Sequence, residues 1–434
     1  MTGTLRVCAI AILMAAAVLS AMATDGDATV GKAIFQGQGD PPGHAVIGGS
    51  EAALDIARFS CGRCHGRGGQ GGSEGGAPAI TWPELTRRTA GRPAYDLDSF
   101  SALLRDGVSA GAREIDRVMP RYHLTDDAIA GLAAYLAELP SLDRRGVSTT
   151  EVSIGVAIPD DNRAPALDFA RLLESELARS QSNRLFGRNI VVRRLSGASS
   201  EIIQAAQNEV LAIVGLVPSN DVTIADMAKT DTPVLFPLAL LEGDEDRTLV
   251  RGSIATRRSL LGALLARTAE DGCKTVAIVD VGGKPPLEAP ADARVSVRLS
   301  DGAGPSIKGA DALIVVGADA AKAAAVMAKH GDLPVYMMAG DLTGPLPTSL
   351  KRSGSLTVVT GFSSGSEPGR LLERHASLTA ELLRFSLLKN GRSLTRSGLV
   401  AAFDRSEFPE LNLDYRRFPL EGTDALRVVR STAN

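Results

Sequence analysis

Aromatic residues, charge of one sign and cysteine are all scarce in this 434-residue chain. Aromatic side chains make up 4% of the sequence, so surfaces for stacking nucleic-acid bases are few. The formal net charge is −3, which argues against the basic footprint of a nucleic-acid-binding protein. The C-terminal two-thirds contain no nucleophile motif, phosphate-binding loop or histidine cluster, so we do not expect an enzyme. Hydrophobic residues (44%) and charged residues (22%) are in globular proportions, and the length suits two or three domains.

The first 23 residues have the composition of an export signal. Arg6 precedes a compact apolar run, Cys8 to Leu19, and the following Ser20-Ala21-Met22-Ala23 is typical of a cleavage site. The run is short for a membrane span, and an uncleaved anchor is the alternative interpretation. No later stretch of the sequence has the length and apolar character of a span. We therefore predict a cleaved signal peptide at residues 1–23 and a soluble mature chain in the periplasm.

Cleavage would leave three cysteines, Cys61, Cys64 and Cys273. Exported proteins commonly contain disulfides, but three cysteines cannot all pair within one chain. Cys273 lies just before an apolar strand, and we interpret it as a buried small residue without chemistry. Cys61 and Cys64 need a different use.

The mature chain changes character once along its length. Residues 24–142 are rich in glycine and carry short helical patterns, whereas residues 143–150 form a short polar linker. From residue 151 to residue 434, β-branched apolar runs alternate with helical patterns, as in βαβ units. We predict a helical first domain and an α/β second domain with these boundaries.

The segment Cys61-Gly62-Arg63-Cys64-His65 is the most informative motif in the chain. C-x-x-C-H is the attachment signature of c-type haem, in which two thiols bond to the porphyrin and the adjacent histidine binds the iron. A redox-active cysteine pair is the first alternative, but such a pair usually follows a strand. A zinc site is the second alternative, but it needs further ligands nearby. The motif predicts one covalently attached haem c, with His65 as an iron ligand.

A low-spin electron-transfer haem has a sixth ligand, which is often methionine. Met119 precedes Pro120 in a predicted loop, just before a helix that Thr125 can cap. His123 is the alternative sixth ligand, and His44 is a more distant one. A histidine in this role would give a lower redox potential than methionine.

Residues 28–142 resemble the class I cytochromes c. The residues that carry the resemblance are Gly31, Phe35, Cys61 to Gly66, Gly76-Ala77-Pro78, Met119-Pro120 and Tyr135-Leu136. The resemblance implies an all-α module and a hydrogen bond from His65 to the carbonyl of Pro78. The spacing of Ile129, Leu132, Ala133 and Leu136 separately predicts an apolar face on the last helix, whose expected partner is the N-terminal helix that carries Val30, Ala33, Ile34 and Phe35. It leaves Trp82 to pack either at the haem edge or in the core. An insertion at residues 36–51 departs from the family pattern and leaves the exposed haem edge unassigned.

The second domain contains eight strand-like runs with helical patterns between several of them. The runs are Val152–Ile158, Ile190–Arg194, Ala212–Leu216, Val234–Leu238, Thr275–Asp280, Ala312–Gly317, Val335–Met338 and Leu356–Thr360. Nearly continuous apolar strands indicate parallel sheets covered on both faces. The length exceeds that of one doubly wound sheet, so we expect two α/β lobes.

Residues 150–434 resemble type I periplasmic solute-binding proteins, the receptors of importers for branched-chain amino acids and amides. The resemblance depends on Ile154 to Ala157, Ala212 to Gly215, Pro233 to Pro237, Arg251-Gly252-Ser253 and Thr275 to Val279. Ligands of such folds bind at the carboxyl ends of strands. The candidates at these ends are Asp160, Asp161, Asn162, Ser219, Asn220, Asp280, Asp319 and Asp341.

Each of these candidates can equally be a helix cap or an ordinary loop residue. Receptors of this class place hydroxyl groups around an amino-acid carboxylate, but this chain has Leu238 to Leu240 where such groups are expected. The ligand is then less polar than an amino acid, or the cleft no longer binds one. His330 and His375 are isolated in the sequence, and we expect both at the surface.

These features predict a periplasmic electron carrier with an attached binding domain. The domain would dock the haem module to a partner or make docking depend on a ligand, and a quinoprotein alcohol dehydrogenase is the expected electron donor. The alternative is a receptor of an ABC-type importer for an amino acid, amide or alcohol, with haem as a redox sensor. A cytochrome subunit of a larger enzyme complex is a third interpretation.

Overall fold

The computed structural model describes residues 26–48, 50, 52–72, 76–179, 184–281, 294–300, 307–317, 319–330, 332–338, 356–361 and 371–431. The chain divides into two compact units, Met1–Asp143 and Arg144–Asn434. The predicted signal peptide lies outside the described residues, as does Asp341. Within those described ranges, no helix combines the length and the apolar character needed to cross a membrane.

Helices dominate the N-terminal unit. They are α1 (Ala28–Gln36), α2 (Cys61–His65), α3 (Trp82–Leu85), α4 (Leu97–Asp106) and α5 (Asp126–Leu142). Thr125 caps α5, because its hydroxyl accepts a hydrogen bond from the backbone N–H of Ala128 at 3.2 Å. The predicted apolar face of α5 is buried: Ile129, Leu132, Ala133 and Leu136.

The first and last helices of this unit pack against each other, as predicted. The contact is close at two glycines, because a Cβ atom on Gly31 would overlap the backbone of Gly131 and the Cβ of Tyr135. The rings of Phe35 and Tyr135 also meet across the helix pair, with centroids 5.5 Å apart. The helix pair therefore depends on the absence of a side chain at the crossing point.

A small antiparallel sheet joins the insertion at residues 36–51 to the segment after Met119. Its strands are β1 (His44–Val46) and β2 (Arg121–His123), and Ala45 lies opposite Tyr122. The all-α prediction for this module omitted this sheet. Strands of three residues are too short to produce a periodic hydrophobic pattern in the sequence.

The first lobe of the C-terminal unit is a six-stranded sheet in the order β4-β5-β3-β6-β7-β8. The strands are β3 (Glu151–Ile158), β4 (Arg184–Leu185), β5 (Arg188–Ser196), β6 (Ala212–Val214), β7 (Val234–Leu235) and β8 (Val250–Arg251). All neighbours are parallel except the β4–β5 pair. Its helices are α6 (Arg163–Arg179), α7 (Ser199–Glu209) and α8 (Ile224–Lys229), and α11 (Leu371–Asn390) and α12 (Arg396–Ala401) return to it later in the chain.

The second lobe is a six-stranded sheet in the order β10-β9-β11-β12-β13-β16. The strands are β9 (Thr275–Asp280), β10 (Ser296–Ser300), β11 (Ala312–Val316), β12 (Val335–Met338), β13 (Leu356–Thr360) and β16 (Arg427–Ser431). Only the β13–β16 pair is antiparallel. The helices α9 (Arg257–Glu270) and α10 (Ala320–Lys329) belong to this lobe, and β14 (Glu407–Phe408) pairs with β15 (Leu413–Asp414) as a separate ribbon.

The central strands of both lobes are buried along almost their whole length. Seven of the eight residues of β3 and all five residues of β11 are buried. Burial on both faces is what helices on either side of a parallel sheet produce. The predicted two-lobed, mainly parallel α/β architecture is therefore confirmed.

One predicted strand ends earlier than expected. The run Val234–Leu238 forms a strand only to Leu235, because Phe236 has a left-handed backbone with φ +52° that a strand cannot continue through. The residues that follow, Leu238 and Leu240, are buried. Leu238 belongs to the apolar core of the first lobe, and Leu240 belongs to that of the second lobe.

Candidate functional site

The C-x-x-C-H motif forms the one-turn helix α2. Residues three and four positions apart lie on the same side of a helix, so Cys61 faces the same way as Cys64 and His65. Neither cysteine forms a disulfide with another described cysteine. The local fold thus presents two thiols and one imidazole to the same region.

His65 is oriented by a hydrogen bond. Its Nδ1 lies 2.7 Å from the carbonyl oxygen of Pro78, the contact that the resemblance implies, and only 8% of the residue is exposed. Burial lowers the pKa of His65 below its usual range, and the hydrogen bond to Pro78 opposes part of that shift. Nδ1 donates to a carbonyl, so the lone pair of the neutral ring is on Nε2, the nitrogen that can bind iron.

The loop after α2 places Pro78 at this position. The backbone N–H of Gly71 donates to the carbonyl of His65 at 2.7 Å, and the N–H of Ile80 donates to the carbonyl of Gly69 at 2.8 Å. Gly71 has φ +79°, and a Cβ atom there would overlap the backbone of Ala77 and Pro78. The glycine is therefore required where the loop closes over His65.

Cys61 is buried, with 8% of the residue exposed. Burial raises the pKa of Cys61 to about 12. A redox-active pair needs a thiolate as nucleophile, so this environment disfavours the thioredoxin-like interpretation. The neighbouring Tyr122 is also buried, and its hydroxyl donates to the carbonyl of Phe59 at 2.6 Å. Considering only the described residues, no three His, Cys, Asp or Glu side chains are grouped to hold a metal ion.

Met119 is half-buried and packs against the apolar cluster that contains Cys61. Pro120 beside it is buried, and the backbone N–H of Met119 donates to the carbonyl of Asp116 at 3.2 Å. The carbonyl of Met119 accepts a hydrogen bond from Arg121 at 2.6 Å. The thioether therefore belongs to the same core as the attachment motif.

The two alternative sixth ligands lie elsewhere. His44 and His123 face each other across the β1–β2 pair, and their rings stack with centroids 4.5 Å apart. His123 is exposed, whereas its neighbour Tyr122 is buried, as alternation along a strand requires. The structure thus places His123 on the opposite side of β2 from Tyr122, and hence away from Cys61. Trp82 is half-buried in the same apolar cluster and meets Phe100 edge-on at 5.4 Å.

Several of the residues proposed for a ligand cleft form hydrogen bonds or ion pairs with other residues of the chain. Asp160 forms an exposed ion pair with Arg163 at 3.1 Å. Asn162 is 7% exposed, and its side-chain amide donates to the carbonyl of Pro218 at 2.9 Å. Both interactions lie within the loop regions that follow β3 and β6.

Ser219 joins the same two loops. Its hydroxyl donates to Asp161 at 2.8 Å and accepts hydrogen bonds from the backbone of Asp221 and Val222. The backbone N–H of Asn220 donates to Asp161 at 2.7 Å. The structure brings Asp161, Asn162, Ser219 and Asn220 into the same two loops: Ser219 and Asn220 donate to Asp161, and Asn162 donates to the carbonyl of Pro218.

The remaining candidates belong to the second lobe. Asp280 ends β9 and is half-buried. Asp319 caps α10 by accepting hydrogen bonds from the backbone of Ala321 and Lys322, which is the ordinary structural role of such a residue. These two residues come from a different sheet than the Asp161–Ser219 group.

His375 is not a surface residue, and the prediction for it was wrong. It is 2% exposed, and its Nε2 lies 2.7 Å from the carbonyl of Phe236. Burial lowers the pKa of His375 to about 4, so the ring is neutral at pH 7. Its position on α11 was predictable only from the pairing of that helix with the first lobe. His330, by contrast, is half-buried beside the end of α10.

The sequence also did not indicate that three of the described arginines, Arg251, Arg257 and Arg396, are buried. Arg251 at the end of β8 is 2% exposed and pairs with Asp404 at 2.5 Å, and Arg396 donates to backbone carbonyls of the first lobe. The hydrogen bonds of the half-buried Arg121 to the carbonyls of Met119 and Ile115 were not predicted either. From sequence alone an arginine is expected at the surface, because the residues that pair with a buried arginine are distant in the chain.

Residues 50–140 match the family model described as cytochrome c. This match, together with the C-x-x-C-H helix and its oriented histidine, identifies a cytochrome c domain in the first unit. Such a domain carries covalently bound haem c. In c-type haem sites two cysteines bond to the porphyrin, and a histidine, often together with a methionine, binds the iron.

The C-terminal unit has the fold of a type I periplasmic binding protein. An extracellular ligand-binding receptor from Verminephrobacter eiseniae is 12% identical, with a TM-score of 0.50, and the match covers 64% of this chain and 97% of that one. A fatty acid ABC transporter substrate-binding protein from Thermomonospora curvata is 13% identical, with a TM-score of 0.49, covering 67% and 90%. A possible leucine/isoleucine/valine-binding protein from Rhodopirellula baltica is 12% identical, with a TM-score of 0.47, covering 68% and 96%. No curated protein matches the sequence significantly.

Proposed function

We propose that this protein is a periplasmic electron carrier with one haem c and an attached solute-binding domain. Cys61 and Cys64 would attach the haem, and His65 and Met119 would bind its iron. The observation that carries this proposal is the hydrogen bond between His65 Nδ1 and the carbonyl of Pro78 at 2.7 Å, which selects the tautomer that binds iron.

In this proposal the haem supplies one-electron oxidation and reduction, and the chain supplies a constant environment. The Pro78 carbonyl holds the His65 ring, and the buried cluster around Cys61 excludes water. Ligands that do not move between the two redox states keep reorganisation small. The protein is then a carrier and not an enzyme.

The proposed domain limits follow the change in sequence character. Residues 1–23 are the export signal, residues 24–142 the cytochrome domain, residues 143–150 the linker and residues 151–434 the binding domain. Export to the periplasm is supported by this signal sequence and by the haem-attachment motif. A receptor fold in the second unit is consistent with the same location.

The electron donor that we propose is a periplasmic dehydrogenase, with a quinoprotein alcohol dehydrogenase as the first candidate. The binding domain would dock the haem module to this donor. Purified oxidised protein should become reduced when the dehydrogenase and its alcohol are added. A haem that no periplasmic dehydrogenase reduces would contradict the proposal, and stable co-purification would indicate a subunit of an enzyme complex instead.

Haem attachment is tested by the visible spectrum of protein expressed in a periplasm, before and after dithionite. We expect a c-type spectrum in wild type and in Cys273→Ala, the control cysteine. Cys61→Ala with Cys64→Ala should give colourless protein. A wild-type sample that is colourless, with both thiols open to alkylation, would refute the proposal.

The axial ligand is tested in the same samples. Met119→Ala should lose the absorption band of the sulfur–iron bond, whereas His123→Ala should keep it, because His123 lies on the exposed side of β2. Loss of the low-spin spectrum in His123→Ala, with Met119→Ala unchanged, would assign the sixth ligand to histidine.

A second candidate function is that of an importer receptor with the haem as redox sensor. The observation in its favour is the fold shared with a ligand-binding receptor. A ligand raises thermal stability in proportion to the logarithm of its concentration over its dissociation constant. A screen of amino acids, amides and alcohols should then yield a saturable shift in the melting of the C-terminal unit. No shift with any of them would favour the carrier function.

A further inference from the structure

Arg121 makes two hydrogen bonds that link both ends of the loop before β2. One guanidinium nitrogen donates to the carbonyl of Met119 at 2.6 Å, and the other donates to the carbonyl of Ile115 at 3.0 Å. The side chain is half-buried. One rigid planar group therefore sets the spacing between the two carbonyls.

The far end of this bridge is itself anchored. The backbone N–H of Ile115 donates to the carbonyl of Gly107 at 2.9 Å, and Gly107 is the residue that ends α4. Gly107 has φ +72°, and a Cβ atom there would overlap the guanidinium of Arg121. The arginine thus packs on the end of α4 and ties the carbonyl of Met119 to it.

The loop between these points needs such support. Val118, directly before Met119, is 80% exposed, and Arg117 and Glu114 form only an exposed ion pair at 3.7 Å. Exposed pairs of this kind contribute little to stability. The backbone N–H groups of Val118 and Met119 donate to Asp116, which is itself exposed, so these bonds do not tie the loop to a helix.

We propose that Arg121 is a positioning residue for the thioether of Met119. By holding the backbone of Met119 against the end of α4, it keeps the methionine sulfur bound to the iron against competing ligands. This inference rests on the proposed ligation by Met119. It assigns to one arginine the control of ligand exchange at the haem.

The experiment measures how tightly added imidazole binds the oxidised holoprotein, since imidazole must displace the methionine. In Arg121→Met the stem still covers Gly107 but both hydrogen bonds are lost, and we expect imidazole to bind about tenfold more tightly. Arg121→Lys keeps the charge without the two-pronged geometry and should fall between this variant and wild type. Arg117→Met is the matched control and should behave as wild type.

The outcomes separate the two proposals. If Met119→Ala shows tighter imidazole binding and Arg121→Met does not, the inference is wrong and the ligation stands. If Met119→Ala keeps the sulfur–iron band and the wild-type imidazole affinity, the ligation fails and the inference fails with it. If Arg121→Met does not take up haem, the test depends on Arg121→Lys. An imidazole affinity of Arg121→Lys equal to that of wild type would then overturn the inference.

Discussion

At the scale of single residues, contacts between positions that are close in the sequence were predictable, and contacts between distant positions were not. The C-x-x-C-H motif and Pro78 lie within 18 positions of each other, so the attachment helix and the partner of His65 could be anticipated. The contacts of Arg121 and the stacking of His44 on His123 depend on β1 meeting β2. His44 and His123 are far apart in the chain, and no local pattern encodes their pairing.

The buried His375 makes the stability of the C-terminal unit depend on pH. Its pKa is about 4 in the folded chain, against 6.5 for an ordinary histidine, because burial disfavours the charged ring. The unfolded chain therefore binds a proton first as the pH falls. Stability from the neutral ring is fully present above pH 6.5 and decreases as the pH falls toward 4, by about 3 kcal/mol at most.

The measurement is denaturant unfolding of the holoprotein at pH 7, 5.5 and 4, followed by far-ultraviolet circular dichroism. Haem absorbance reports the first unit separately. His375→Gln removes the titrating group but keeps an amide near the carbonyl of Phe236, so its stability should change less between pH 7 and pH 4. Equal pH dependence in both proteins would show that another group is responsible.

At the scale of helices and strands, prediction succeeded where burial is continuous. The strands Thr275–Asp280, Val335–Met338 and Leu356–Thr360 have the predicted bounds, because apolar runs buried on both faces are visible in the sequence. The strands Ser296–Ser300 and Arg427–Ser431 were not predicted, since each has one neighbour among the described strands and is rich in polar residues. The strand Val250–Arg251 was missed because its buried arginine is balanced by the distant Asp404.

The crossing of α1 and α5 yields a prediction for the helix pair. Gly31→Ala would place a methyl group inside the backbone of Gly131, so the helices must separate. We expect a loss of about 1–3 kcal/mol in the stability of the first unit, the usual range for overpacking. Haem absorbance during denaturant unfolding measures it.

A matched substitution tests whether the effect is steric. A Cβ on Gly91 would meet no atom within 4 Å, so Gly91→Ala should change stability by no more than about 0.5 kcal/mol. If both variants unfold at the same denaturant concentration as wild type, the close helix contact does not exist in solution.

At the scale of the whole molecule, each unit has its own core. Among the residues that the structure describes, the apolar cluster around Cys61 consists of residues of the first unit, and the other five clusters consist of residues of the second. A chain with separate cores was predictable from the change in composition near residue 143. The function of joining the two units in one chain was not predictable, because function depends on particular sites and not on the fold.

Separate cores predict that residues 24–143, produced alone in a periplasm, attach haem and keep the spectrum of the full chain. The free energy of unfolding followed by haem absorbance should differ from that of the full chain by no more than about 0.5 kcal/mol, since the described apolar core of the first unit is made of its own residues. If the second unit docks the carrier to its dehydrogenase, the fragment should be reduced at least about tenfold more slowly at low protein concentration, because the linked contact raises the local concentration of haem. Equal reduction rates for fragment and full chain would rule out docking by the second unit, whereas a fragment without haem would show that the two units do not fold independently.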